Sequence, residues 1–182
     1  MRVFACLGLA VLGVLAAPAA ASAYENQVTL GLELGWAGIP NSSTLPLNGI
    51  DLGITAGYGI NDAWEIRGLG TFNLLFDDDR LRTGMIGAEA TYLLDIVRFV
   101  PVFGFGVDAV ISAFRGNTRG DFAMHALLGV DFLINPRWLV GASARGFWVT
   151  TNGRSFLDAL FFTAAFRVGI RFDVRRNPRP KR

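Results

Sequence analysis

Eight stretches of this chain alternate apolar and polar residues with a period of two, and none of the eight apolar faces carries a charge. Such alternation belongs to strands with chemically different faces. The stretches are Gln27–Ala37, Gly49–Ile60, Ala63–Phe76, Leu81–Leu94, Phe99–Phe114, Phe122–Ile134, Arg137–Val149 and Leu160–Val174. Most reach the 9–11 residues that a tilted membrane strand needs. The chain is also greasy, with 52% hydrophobic residues and a mean hydropathy of +0.39. Yet beyond residue 23 no run of 18 apolar residues is free of charge, which excludes a spanning helix. Hydrocarbon satisfies no open sheet edge, so a closed barrel is the remaining way to span.

The first 23 residues read as a secretion signal rather than as part of the fold. Arg2 supplies the positive end, Val3–Ala17 the apolar run, and Ala21-Ser22-Ala23 a cleavage site of small residues. The mature chain is expected to start at Tyr24. Cys6 is the one cysteine and lies within that signal, too early to carry a lipid. The mature chain therefore has no thiol, disulfide or cysteine metal site. Residues 24–174 form the expected barrel, and 175–182 a basic tail in the periplasm. From Tyr24 to Val174, 11 Arg face 15 acidic residues, and the tail adds five basic ones. A short basic end reads as a solvated terminus, with no nucleic-acid partner implied.

Alternation alone does not say which face points inward. A soluble, lipocalin-like barrel would turn its apolar face in. Here the polar faces are rich in glycine, with scattered Arg and acids, and hold no Lys. Glycine weakens a solvated strand but suits the crowded lumen of eight strands. Aromatic residues also gather at the strand ends. Trp36, Phe72 and Trp148 lie at one end, and Tyr58, Trp64, Tyr92, Phe132, Trp138 and Phe172 at the other. Two such belts fit two membrane–water interfaces. The apolar faces, for example Leu30, Leu32, Leu34 and Trp36, are thus expected to meet lipid. The connections after odd strands, Gly38–Asn48, Asp77–Arg80, Arg115–Asp121 and Thr150–Ala159, are expected outside. The short ones, Asn61-Asp62, Asp95–Arg98 and Asn135-Pro136, and both termini are expected in the periplasm.

Three stretches resemble the small outer-membrane β-barrel superfamily of OmpA-type and OmpX-type barrels. They are Pro101-Val102-Phe103-Gly104-Phe105-Gly106-Val107-Asp108, the turn Asn135-Pro136-Arg137-Trp138, and the ending Arg167-x-Gly169-x-x-Phe172-x-Val174. The resemblance covers Tyr24–Val174. It implies an all-β, eight-stranded antiparallel up-and-down transmembrane barrel in the cell outer membrane. It also implies recognition of the last strand, through Arg167, Gly169, Phe172 and Val174, by the barrel-assembly machinery. Such chains usually stop at the final aromatic, whereas this one runs on for eight residues beyond Val174.

The inward face gathers Glu33, Asp51, Glu65, Glu89, Asp108 and Asp131 with Arg67, Arg145, Arg167 and Arg171. Buried charges must pair, and eight strands leave little bore. A plug of ion pairs is therefore favoured over a narrow ion path. His125, the one histidine, also points inward. Leu127 stands where a lipid-modifying barrel would place its serine, and Ser112 and Ser143 reach His125 only if the register allows. A hydrogen-bonded lumen histidine is the expectation. Asp77-Asp78-Asp79 lacks the spacing of a calcium loop, and Gly104-x-Gly106 opens no helix and so is no nucleotide loop. Asn41-Ser42-Ser43 fits a glycosylation pattern that carries no weight in a bacterial-type barrel. These residues predict a non-catalytic structural or surface-interaction barrel, without cofactor or metal, monomeric in outer-membrane lipid. A pore for ions or small apolar solutes is the main alternative, and a lipid-modifying enzyme a lesser one.

Overall fold

A spanning strand needs hydrogen-bond partners on both of its edges, and the observed sheet supplies them by closing on itself. The computed structural model describes residues 25–39, 48–76, 80–94, 98–150 and 160–174. Its strands are β1 (Gln27–Gly38), β2 (Asn48–Gly59), β3 (Trp64–Phe76), β4 (Leu81–Leu93), β5 (Phe99–Phe114), β6 (Asn117–Leu133), β7 (Trp138–Thr150) and β8 (Leu160–Asp173). Each pairs antiparallel with its sequence neighbour, and β8 returns to β1, from Gln27↔Asp173 to Gly38↔Phe162. The expected signal with Cys6, Tyr24, the basic tail, Asp77-Asp78-Asp79 and Asn41-Ser42-Ser43 lie outside the described residues, as does most of the longer connections.

The strands are strongly tilted. A circuit of paired residues leaves β1 at Val28 and passes through Tyr58, Ile66, Ala90, Phe105, Ala126, Gly146 and Phe162. It returns to β1 at Gly38, ten positions further on. This stagger is what closure of a twisted sheet demands. It also brings residues from distant parts of the chain to one level in the lumen.

The apolar faces point outward, as the glycine-rich polar faces and the aromatic strand ends predict. Leu32 is 66% exposed, Ile86 70% and Phe166 78%, a large apolar surface that lipid must cover. The aromatic ends are tied down locally. Trp36 Nε1 donates to Asn48 Oδ1 at 3.0 Å, and Tyr58 Oη to Asn26 Oδ1 at 3.0 Å. Trp64 packs edge-on against Tyr92, with ring centroids 5.2 Å apart.

Two of the short connections use one chemistry. Asn61 Oδ1 accepts the N–H groups of Ala63 and Trp64, and Asn135 Oδ1 those of Arg137 and Trp138, all within 2.8–2.9 Å. An Asn side chain that caps the backbone two residues on is a compact turn former. One connection departs from expectation. The segment after β5 is a two-residue turn, Arg115-Gly116, rather than a loop to Asp121, so β6 starts five residues early. Both residues have positive φ, 49° at Arg115 and 78° at Gly116, and this combination matches the right-handed twist of a hairpin. The glycine has no Cβ to oppose it. The Arg115 guanidinium lies over the Phe114 ring, 5.1 Å from its centroid.

Candidate functional site in the lumen

Inward positions hold more than the expected glycines and charges. An apolar cluster fills the end toward the Arg115-Gly116 turn and includes Ala37, Ile39, Leu75, Leu81, Phe147 and Phe161. A second, with Leu93, Val100, Val102 and Leu127, lies toward the Asn-capped turns. Phe147 and Phe161 are almost completely buried and pack ring to ring at 5.5 Å. Side chains of the sheet's interior have only one another to touch in so narrow a barrel, so apolar residues serve there as well as polar ones.

The charged layer lies between these clusters. Its centre is Arg145 on β7, which reaches across the lumen to β1 and β4. Nη1 donates to Glu33 Oε2 at 2.5 Å and Nη2 to Glu33 Oε1 at 3.2 Å. Nε and Nη2 donate to Glu89 at 3.2 and 3.4 Å. Such a fork held by two carboxylates is the strong form of this contact. Glu89 is shared further. Its Oε2 lies 3.0 Å from His125 Nε2 and its Oε1 3.6 Å from Arg67 Nη1. His125 Nδ1 meets Asp108 Oδ2 at 2.6 Å. Arg67 donates to both oxygens of Glu65, at 2.9 and 3.3 Å. The result is one chain of contacts, Asp108–His125–Glu89–Arg145–Glu33, with Arg67 and Glu65 as a branch.

Arg167 Nη2 pairs with Asp131 apart from that chain. Arg171, grouped by the sequence with the network, stands nearer the termini and donates to Gln27 Oε1 at 3.3 Å. Asp51 departs from the expected pairing altogether. It is fully buried, and neither carboxylate oxygen has a hydrogen-bond partner among the described residues. In the terminal stretch Arg167 and Gly169 face the lumen, whereas Phe172 and Val174 face outward.

Glycines make room for these charges. A Cβ on Gly57 would collide with the Glu65 carboxylate, and one on Gly106 would come within 2.5 Å of His125 Cε1. The His125 ring also lies 5.2 Å from that of Phe147. Both its nitrogens go to carboxylates. Ser112 instead has its Oγ 3.4 Å from Thr83 Oγ1, and the Ser143 hydroxyl has no hydrogen-bond partner among the described residues. A nucleophile needs its base within reach, and the described contacts bring neither serine to His125. No group of three or more His, Cys, Asp or Glu among the described residues is placed to hold a metal ion.

A family model of the outer membrane protein beta-barrel domain matches residues 7–173. A search of curated proteins by sequence finds no match. Solved barrels align over most of their length. Neisserial surface protein A is 17% identical with a TM-score of 0.62, over 82% of this chain and 97% of that one. The N-terminal β-barrel domain of Pseudomonas aeruginosa OprF is 13% identical with a TM-score of 0.59, over 81% and 98%. OprG of the same organism is 10% identical with a TM-score of 0.55, over 83% and 98%. At such identities the likeness is one of fold.

Proposed function

The chain belongs to the outer membrane protein beta-barrel domain family, and we propose that it serves there as a sealed, non-catalytic scaffold that presents its longer connections at the cell surface. The observation that supports this is the filling of the lumen. Four Arg and six acidic side chains are buried within it, and apolar clusters lie on both sides of the charged layer. An ion path would need continuous water along the axis. The cluster around Phe147, Phe161, Leu75 and Leu81 offers none at its level. The lipid-facing apolar surface anchors the scaffold, and the monomer suffices because the sheet has no open edge.

Planar-bilayer recording of the purified barrel tests the reading. No discrete conductance is expected, and none should appear on truncating Phe161 to Ala alone, since the ionic layer beneath still blocks the bore. Reproducible channels in the wild-type protein that vanish on Arg145→Ala would overturn the sealed scaffold in favour of a pore.

A further inference from the structure

Asp51 raises a question of charge that the ion-pair network does not answer. Among the described residues the buried charged groups of the lumen are six carboxylates, four Arg and His125. Even with His125 counted as a cation, one negative charge is left over. The carboxylate without a hydrogen-bond partner is Asp51. An isolated buried carboxylate is among the most unfavourable groups a fold can hold.

Its neighbours on the sheet are oxygen donors in the same condition. Asp51 is paired in register with Asn73 on β3, and Asn73 with Thr83 on β4. Directly opposed residues have Cβ atoms about 4.5–5.5 Å apart. Asn73 is fully buried, and neither its carbonyl oxygen nor its amide nitrogen has a hydrogen-bond partner among the described residues. Thr71, two residues along β3 on the same inward face, is 8% exposed, and its Oγ1 has no partner among the described residues. Opposite Thr71 stands Gly53, where a Cβ would lie 3.1 Å from Glu33 Cβ and 3.5 Å from Thr71 Cγ2. The absent Cβ makes room for the Glu33 side chain, whose Oε2 lies 3.4 Å from the same point.

We propose that Asp51, Asn73 and Thr71 bind one small hard cation, of the sodium or calcium kind, between the ionic layer and the apolar cluster at the Arg115-Gly116 end. A carboxylate, an amide carbonyl and a hydroxyl form an all-oxygen donor set, which selects hard cations over transition metals. The bound charge balances Asp51, and the amide and hydroxyl oxygens gain the partner that their burial otherwise denies them. The apolar cluster lies between the site and that mouth of the barrel, so the ion is taken up as the barrel folds.

The test refolds the full chain in sodium chloride, calcium chloride or tetramethylammonium chloride at equal ionic strength and follows thermal unfolding. Tetramethylammonium is too large and offers no coordination. The melting temperature should rise saturably with sodium or calcium, by about 3–6 °C at ten times the midpoint concentration for a barrel of this size. Which salt acts at the lower concentration identifies the ion. Asp51→Asn keeps the shape and removes the charge. It should fold, lose the cation response, and melt above the wild type in tetramethylammonium. Thr71→Val should retain the response with its midpoint raised about fivefold to tenfold. Equal melting of the wild type in all three salts would overturn the site, leaving Asp51 with a proton alone. So would an Asp51→Asn variant that keeps the full cation response.

Discussion

Replacing Arg145 by Met should be among the most damaging single substitutions in this barrel. Its four hydrogen bonds end on Glu33 and Glu89, and all three side chains are almost wholly buried. Met fills a similar volume, so the loss is electrostatic rather than one of packing. Glu89 keeps His125 and Arg67 as neighbours, whereas Glu33 loses the guanidinium that held both its oxygens. Removing one partner of a buried pair costs about 3–5 kcal/mol, because the survivor stays charged and unsolvated. That is a shift of two orders of magnitude or more in the folding equilibrium. The penalty should be relieved by a second change that discharges the survivor. Arg145→Met with Glu33→Gln should recover at least half of the loss, since replacing a whole buried pair by neutral groups is often close to neutral. Urea unfolding in lipid vesicles, read through the fluorescence of Trp36, Trp64, Trp138 and Trp148, measures both. If Arg145→Met costs less than about 1 kcal/mol, the charges are hydrated and the lumen is not sealed. A double variant no better than the single one would place the damage elsewhere than at Glu33.

Two further outcomes test the outer surface and the tight turn. Leu32→Arg and Phe166→Arg, on neighbouring strands in the middle of the apolar face, should each cost about 2–4 kcal/mol in vesicles. Variants as stable there as the wild type would mean that lipid does not cover this face. Arg115→Asn should raise stability by about 0.5–1 kcal/mol, because Asn adopts a positive φ more readily. Gly116→Val should lower the melting temperature, and equal tolerance at both positions would argue against the two-residue turn.

The outer surface was legible in the sequence because lipid is an unforgiving solvent. Outward positions away from the strand ends had to be apolar or small, so the period of two survived in every strand; the charged Arg82 stands at the very start of β4. The turn at Arg115-Gly116 was not legible. Its φ values are those of an Asn-Gly pair, but Arg stands in the first place, and the polar Asn117–Asp121 that follows reads as loop. Those residues are a strand end paired with Val110–Phe114 of β5, beyond the level where β6 meets β7 at Phe122↔Thr150.

Inside the barrel the legible part was chemistry and the hidden part was level. Inward parity alone marks Glu33, Glu89, Arg145 and His125 as a set. It does not say that Arg145 meets Glu33 rather than Asp131. That choice depends on the ten-residue stagger of the circuit, a property of closure written in no single strand. The same stagger separates the inward Phe147 and Phe161 from the charges. Once parity is known, sorting inward residues by distance from the strand end would have shown the apolar clusters, because Leu75, Leu81 and Phe161 all lie within two residues of one. Asp51 then stands out on the same grounds. It sits at the level where the ionic layer gives way to the apolar one, without a hydrogen bond from the Arg145 fork, and its sheet partner on β3 is the neutral Asn73. A carboxylate at that boundary has no hydrogen-bonded cation among the described residues, so the cation site can fail while the lumen stays sealed. The seal rests on the ionic layer together with Phe147 and Phe161, and the cation on Asp51.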